Sequence, residues 1–233
     1  MKGIIRVSIF ILLLVGVLIF VNTKVPAQHV PWRTLNPEAP LGFATKTQLL
    51  RLALGPSDTC MTMARTTDRL HSVPAEPRNS HSVCGWDVAR FVDGTDTLTL
   101  SPGEVSMQCP LSIGSYIWLG EIERLALEHF ESPLVKIHHM GTYSCRRQVG
   151  NGSGRWSEHA FSNAWDIAGF ELADGQLITL RNDWKKGTKA EKKFLRDVRD
   201  SACKIFRVVL SPDYNAAHYD HFHVDMGVSG TCR

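Results

Sequence analysis

The pattern of apolar and polar residues changes along the chain, and its first part is almost purely apolar. Lys2 and Arg6 precede an uncharged run from Val7 to Val21. Such a run predicts that residues 1–24 are a membrane segment whose basic end stays in the cytoplasm. Val25-Pro26-Ala27 approximates a signal-peptide cleavage site, but the proline is awkward there, so we favour an uncleaved anchor over a cleaved signal. Both interpretations place the remaining chain outside the cytoplasm.

Residues 25–44 differ from both neighbours in being rich in proline, which predicts an extended connector. Residues 45–233 then have the length and apolar content of one globular domain. We expect 45–112 to form its N-terminal part and to wall one side of a site carried by 113–233. The connector prolines are Pro26, Pro31, Pro37 and Pro40, and Trp32 and Leu35 between them are candidates to dock on the domain.

Helical and strand periods both occur in the domain, which predicts an α+β fold with an antiparallel sheet and flanking helices. The predicted helices are Thr45–Leu54, Tyr116–Phe130 and a segment that starts with a capping box at Thr188 and ends near Phe206. The predicted strands are Thr97–Leu100, Leu134–Ile137, a strand around Asp166, its hairpin partner Gln176–Arg181, and Val208–Leu210.

A strict alternation near the C-terminus carries the most chemistry. Between His221 and Met226 every second residue is apolar, so a strand here would turn Phe222, Val224 and Met226 to a core. His221, His223 and Asp225 would share the opposite face. A similar alternation places Asp166 on the opposite face from Trp165 and Ile167, so Asp166 can lie on a neighbouring strand.

Metal-ligand residues are concentrated at the two ends of one stretch. His159 stands seven residues before Asp166, and Asp220, His221 and His223 fall within four residues. Two histidines and an aspartate suit zinc, and three protein ligands leave a fourth position open for water. A single histidine is more often a structural residue, but two tight clusters favour a metal site. His138 and His139 stand apart from this pattern, and we expect them to be structural or surface residues.

These motifs resemble a known group of proteins. The pattern SxHxxxxAxD followed by DHxH is similar to the zinc D-alanyl-D-alanine peptidases, murein endopeptidases and the hedgehog signalling domain. The segments TYSCR, SEHAFSNAWDI, FLRDVRDSAC and VLSPDYNAAHYDHFH resemble the bacterial extensin-like C-terminal family over about residues 30 to 233. The general group has glycine where this chain has Ser162, so the loop between the first two ligands is expected to differ slightly.

The resemblance implies a role for each site residue. Zinc would be held by His159, Asp166 and His223. Asp220 would be the general base, with support of the zinc ligands as its alternative role, and His221 would stabilise the oxyanion unless it only packs. The remaining assignments are Arg146 as the donor that grips a substrate carboxylate, or else a solvated charge, and Ser157 as a cleft residue, or else a turn hydroxyl.

Composition limits the partners and the compartment. The net charge of +3 gives no basic field for nucleic acid, so no nucleic-acid partner is expected. Six cysteines predict three disulfides in an oxidising, extracytoplasmic compartment, and their spacing leaves the pairing open. The glycine-rich run from Gly150 to Gly154 lacks the context of a phosphate loop and predicts a lid over the cleft.

Three functions from different classes remain open at this point. The favoured one is an exported, membrane-tethered zinc peptidase that cleaves peptidoglycan stem peptides or cross-links. The alternatives are a non-catalytic zinc domain that binds cell wall or a protein, and a metal-dependent phosphoesterase. The sequence leaves open carboxypeptidase against endopeptidase activity, the peptide bond and the oligomeric state.

Overall fold

The computed structural model of the chain describes residues 2–67, 70–79, 83–148 and 153–233. The described residues form six α-helices and twelve β-strands. The helices are α1 (Lys2–Lys24), α2 (Thr45–Leu54), α3 (Ser57–Ala64), α4 (Cys109–Phe130), α5 (Leu180–Lys186) and α6 (Lys189–Cys203). The strands are β1 (Leu70–Ala75), β2 (Arg78–Asn79), β3 (Gly85–Trp86), β4 (Ala89–Thr95), β5 (Thr99–Ser101), β6 (Val105–Gln108), β7 (Leu134–Gly141), β8 (Ala164–Leu172), β9 (Leu177–Thr179), β10 (Val208–Leu210), β11 (Phe222–Asp225) and β12 (Thr231–Cys232).

Ten of the strands form one sheet in the order β1-β4-β5-β7-β8-β11-β10-β12, with β6 paired to β4 and β9 paired to β8. Strands β2 and β3 form a separate hairpin. The α+β prediction is confirmed, but the sheet is mixed rather than purely antiparallel. The β5–β7 and β10–β12 pairs are parallel. A parallel pair needs a crossover connection, and α4 supplies the one between β5 and β7.

Helices α4 and α6 carry aromatic and aliphatic side chains that pack with the sheet in the main core. Trp118 of α4 is fully buried and makes edge contacts with Trp165 of β8 and with Phe206. Its indole nitrogen donates to Ser201 Oγ of α6 at 3.1 Å, so the buried polar atom has a partner. This packing fixes β8 from its core side and leaves its other face for the site.

Helix α4 and strand β9 differ most from the sequence prediction, and α6 ends at Cys203, three residues before the predicted end. Helix α4 begins at Cys109, seven residues before the predicted start. The sequence pattern missed these first turns because Ser112 and Ser115, which are polar but buried, interrupt the apolar pattern. The predicted strand Gln176–Arg181 is only the three-residue β9. Thr179 then caps α5 by accepting from the backbone N–H of Asn182 at 3.3 Å.

The predicted connector lies against the domain. Leu35 is buried in the main core, and the Glu38 carboxylate accepts a hydrogen bond from the Tyr116 hydroxyl of α4. Trp32 stays half exposed. Helix α1 is long and apolar enough to cross a membrane, and none of its apolar stretch is buried against the rest of the described chain.

All six cysteines lie in the described residues, and the prediction of three disulfides is confirmed. The pairs are Cys60–Cys109, Cys84–Cys145 and Cys203–Cys232. The first ties α3 to α4, the second ties the segment before β3 to the segment before Arg146, and the third ties α6 to β12. Three disulfides fit an extracytoplasmic location.

Candidate metal centre

The floor of the site is the antiparallel pair β8 and β11. The register places His223 directly opposite Asp166 and Val224 opposite Trp165. Phe222 and Val224 are fully buried, as the alternation of the sequence predicts. Because side chains alternate across a sheet, the carboxylate of Asp166 and the imidazole of His223 share the face away from the main core.

His159 reaches this face from a short 3-10 turn, Glu158–Phe161. The Ser157 hydroxyl begins the turn by accepting the backbone N–H of His159 at 3.3 Å. The turn ends at Ser162, whose φ of 52° is left-handed. This conformation explains why the related pattern has glycine there. The Ser162 hydroxyl is fully buried and lies 2.9 Å from the hydroxyl of Ser106 on β6, which gives it a partner.

Three candidate ligand atoms meet where the turn faces the two strands. His159 Nε2 lies 3.1 Å from His223 Nδ1 and 3.1 Å from Asp166 Oδ2, and His223 Nδ1 lies 2.9 Å from Asp166 Oδ1. Among the described residues, His159, Asp166 and His223 form a group whose candidate ligand atoms all lie within 4.8 Å of one another. The sequence-predicted ligands therefore come together.

The outer nitrogen of each histidine also has a fixed partner. His159 Nδ1 lies 3.1 Å from the Thr142 carbonyl oxygen and is the donor in this contact, since a carbonyl oxygen can only accept. His223 Nε2 lies 2.9 Å from Asp225 Oδ2, and the backbone N–H of Gly227 donates to Asp225 Oδ1 at 2.8 Å. Outer partners of this kind orient metal-binding imidazoles and select their tautomer. Sequence reasoning placed Asp225 on this face but gave it no role.

The protonation of the metal-free cluster follows from these contacts. Burial alone would raise the pKa of the Asp166 carboxyl, but hydrogen bonds from His159 and His223 outweigh burial and hold it far below its usual range. Burial alone would lower the pKa of His223, but Asp166 and Asp225 on its two sides raise it to about 9. A proton on His223 therefore offsets one of the two buried carboxylate charges, at the position where a divalent cation would fit.

His221 stands between two carboxylates. Its Nδ1 lies 3.0 Å from Asp220 Oδ1, and its Nε2 lies 3.8 Å from Asp166 Oδ1. Asp220 therefore contacts the imidazole next to it, and the far nitrogen of that imidazole is turned towards the cluster. The predicted roles of Asp220 as base and His221 as oxyanion donor stay predictions.

The cluster lies in a cleft of about 400 Å³. The predicted substrate residues Arg146 and Ser157 both line this cleft, and the backbone N–H of Ser157 donates to the Arg146 carbonyl at 3.1 Å. Arg146 is exposed, and its neighbour Cys145 is held by the disulfide to Cys84. The other polar and apolar lining residues include Tyr214, His218, Val208 and Leu210.

His218 is a cleft residue that stays neutral over a wide pH range. Burial lowers the pKa of His218 to about 4, helped by repulsion from His221 and His223. Its Nδ1 lies 2.8 Å from the Asn215 side-chain oxygen, so Nδ1 carries the single proton and Nε2 stays unprotonated at neutral pH. The sequence gives one indication that His218 belongs to the site, namely its position three residues before His221.

His138 and His139 lie outside the cluster. His138 contacts Glu171 at 2.9 Å on β8, and buried His139 contacts the Gly103 carbonyl at 3.0 Å. Both contacts are structural, as the sequence predicts. The predicted lid is the glycine-rich run from Gly150 to Gly154. Residues 150–152 of this run, and so most of the lid, lie outside the described residues.

The fold and the cluster define the class of protein as an α+β domain with a candidate metal centre on a central strand pair. The model of the family "Extensin-like protein C-terminus" matches residues 58–233, which is more than half of the chain, so the chain belongs to this family. No curated protein and no solved structure is similar enough to the chain to count as a match. The resemblance to the extensin-like family is thus confirmed, while the relation to zinc peptidases stays a prediction.

Proposed function

We propose that the chain is an exported, membrane-tethered, zinc-dependent peptidase that hydrolyses peptide bonds in peptidoglycan stem peptides or cross-links. The observation that carries this proposal is the convergence of His159, Asp166 and His223 in an open cleft. A relation to the zinc D-alanyl-D-alanine peptidases and to their hedgehog-like fold is part of the proposal and rests on the shared motifs.

Zinc suits the donor set better than magnesium or calcium, since two of the three candidate ligands are imidazoles. His159 Nε2, His223 Nδ1 and one oxygen of Asp166 would hold it. The outer contacts to Thr142 and Asp225 supply the supporting partners that such sites need. When bound, zinc supplies a Lewis acid that activates water at neutral pH.

His221 is the side chain that we assign to proton transfer. Asp220 accepts from its Nδ1, which orients the ring and leaves Nε2 facing the cluster. A carboxylate behind an imidazole fixes its tautomer and stabilises the protonated form. Asp220 is then a positioning residue, and this assignment differs from the sequence-based one, in which Asp220 itself is the base.

Arg146, helix α1 and the disulfides support the choice of substrate. The exposed Arg146 guanidinium at the cleft can donate two parallel hydrogen bonds to a peptide carboxylate. The apolar helix α1 and the three disulfides support export to the compartment that holds peptidoglycan.

The first test is metal content together with digestion of purified muropeptides, with mass analysis of the products. We expect close to one zinc per chain, and loss of zinc and of cleavage in His159→Ala, because two remaining ligands hold the ion weakly. Full zinc occupancy in His159→Ala would contradict the ligand assignment. Wild-type protein that holds zinc but leaves every muropeptide intact would favour the binding domain.

The second test separates His221 from Asp220. Both His221→Ala and Asp220→Asn should retain zinc, and His221→Ala should lose about 10²-fold or more of the cleavage rate, the low end for general acid-base catalysis. Asp220→Asn should shift the pH profile of cleavage, which a merely structural residue would not do. A larger loss in Asp220→Asn than in His221→Ala would make Asp220 the base.

A further inference from the structure

Helix α2 is apolar on two opposite sides. Leu49 and Leu52 are buried on its inner side. On the other side, Phe43 just before the helix is 94% exposed and Leu54 at its end is 79% exposed. At 100° per residue, Leu50 and Leu54 fall about 40° from one another on the side of α2 away from Leu52, and Phe43 lies just before the N-cap residue Ala44. We call Phe43, Leu50 and Leu54 the α2 face.

A helix that is apolar on both sides needs a second apolar partner. Within the described residues, the ring of Phe43 lies 5.8 Å from that of His29, yet Phe43 and Leu54 both remain largely exposed. The choice of partner depends on what lies beside the α2 face.

The segment after α1 runs along α2. The Gln48 amide donates to the carbonyls of Ala27 and Val30 at 2.8 and 2.9 Å, and the Arg51 guanidinium donates to the Pro31 carbonyl at 2.9 Å. The N–H of Phe43 donates to His29 Nδ1 at 3.2 Å. These contacts fix the α2 face relative to the end of α1.

Trp32, which follows α1 in the chain, is hydrogen-bonded to the end of α1. Its indole nitrogen donates to the side-chain oxygen of Asn22, two residues before α1 ends, at 2.9 Å. With 23 residues, α1 is about 34 Å long and can cross the hydrocarbon core of a bilayer. Asn22 would then lie at the level of the lipid headgroups, where tryptophan is enriched.

Cationic side chains surround the same region. Lys24 ends α1, and Arg33 and Arg51 are both exposed beside Trp32. An apolar stripe bordered by basic residues and tryptophan is typical of a surface that lies in a membrane interface.

We propose that the α2 face lies on the outer leaflet of the bilayer that α1 crosses, with Arg33 and Arg51 directed to anionic lipid phosphates. The proposal rests on the membrane tether in the proposed function. It adds that the domain is held against the bilayer at a fixed orientation and does not swing freely on a linker.

The test uses the full chain in vesicles of phosphatidylcholine and phosphatidylglycerol. A benzoylphenylalanine photoprobe is placed at position 43 or 54, and control probes at positions 140 and 177 replace the exposed Met140 of β7 and Leu177 of β9. We expect flotation with the vesicles for all four proteins, and lipid adducts by mass analysis for positions 43 and 54 alone.

Each other outcome contradicts the proposal in a recognisable way. A chain that does not float lacks the tether itself. Flotation with no lipid adduct at 43 and 54, or with equal adducts at the control positions, removes the docking but keeps the tether. A crosslinked dimer through position 54 would assign the α2 face to a second copy of the chain.

A second measurement does not depend on the photoprobe. Brominated lipids should quench the emission of Trp32, taken as the difference between wild type and Trp32→Phe. The double variant Phe43→Glu with Leu54→Glu should reduce this quenching, because only the contact with Asn22 then keeps Trp32 near the lipid, and it should leave zinc content unchanged. Quenching of Trp32 that is the same in the double variant would also contradict the proposal.

Discussion

Asp225, the partner of His223, offers the sharpest test of the proposed metal centre. Asp225 is buried, and its Oδ2 lies 2.9 Å from His223 Nε2 while its Oδ1 accepts the Gly227 N–H. In Asp225→Asn the amide oxygen can keep one of these two contacts. The other partner, either His223 Nε2 or the Gly227 N–H, then faces the amide NH2 group, and the contact to His223 is no longer made by a charged group. The change leaves the three ligands themselves in place.

The expected loss of zinc affinity in Asp225→Asn can be calculated in two ways. A hydrogen bond to a charged group contributes about 1.5–3 kcal/mol, which is about 10- to 150-fold in affinity at 1.4 kcal/mol per decade. Outer partners of metal-binding histidines are worth about 10- to 100-fold in metal affinity. We therefore expect zinc to bind Asp225→Asn about 10- to 100-fold more weakly than wild type.

The assay is a competition titration against a chromophoric chelator, with a thermal melt of each metal-free protein to establish folding. Asp220→Asn is the matched control, since Asp220 contacts His221 and not a proposed ligand. Its zinc affinity should stay close to that of wild type. Equal affinities for Asp225→Asn and wild type, or equal weakening in both variants, would refute the outer-partner argument.

Two further predictions concern stability. Burial lowers the pKa of His139, opposed by its hydrogen bond to the Gly103 carbonyl, so the unfolded chain binds a proton that the folded chain does not. The free energy of unfolding should therefore fall as the pH drops below about 6.5, and less steeply in His139→Gln, measured by urea denaturation at several pH values. An unchanged slope in this variant would contradict the assignment. Replacing Cys203 and Cys232 by serine should cost about 3.6 kcal/mol by the chain-entropy estimate for their separation of 29 residues, and an unchanged urea midpoint would exclude that contribution.

Local patterns were sufficient for the elements whose signals lie within a few residues. Thr188 and Glu191 predict the start of α6, and both hydrogen bonds of the capping box form between them. The alternation from Phe222 to Asp225 predicts a strand and the face of each side chain. Such features depend on hydrogen bonds between near neighbours and on the period of the backbone, so they can be recognised without tertiary context.

Features that depend on distant partners were not predictable in the same way. The parallel pairing of β5 with β7 is set by how α4 packs, and the buried serines of α4 conceal its first two turns. In the site, the left-handed conformation of Ser162 depends on the path of the loop that it ends, and the contact of His159 with Thr142 depends on how that loop meets the segment after β7. The direction of Asp220 towards His221 also lies outside what alternation can specify, because Asp220 precedes the strand.

The way the cluster is held bears on what it can do. Strand register fixes Asp166 opposite His223, and buried Trp165 and Val224 fix the strands themselves, so the ligand positions depend on the main core. In the metal-free chain a proton on His223 offsets one of the two negative charges of Asp166 and Asp225. A cation that replaces this proton would meet donors already in place, and little ordering is then needed on binding. Hydrolytic chemistry requires such preorganisation, because a displacement of about 1 Å can cost about 10²-fold in rate.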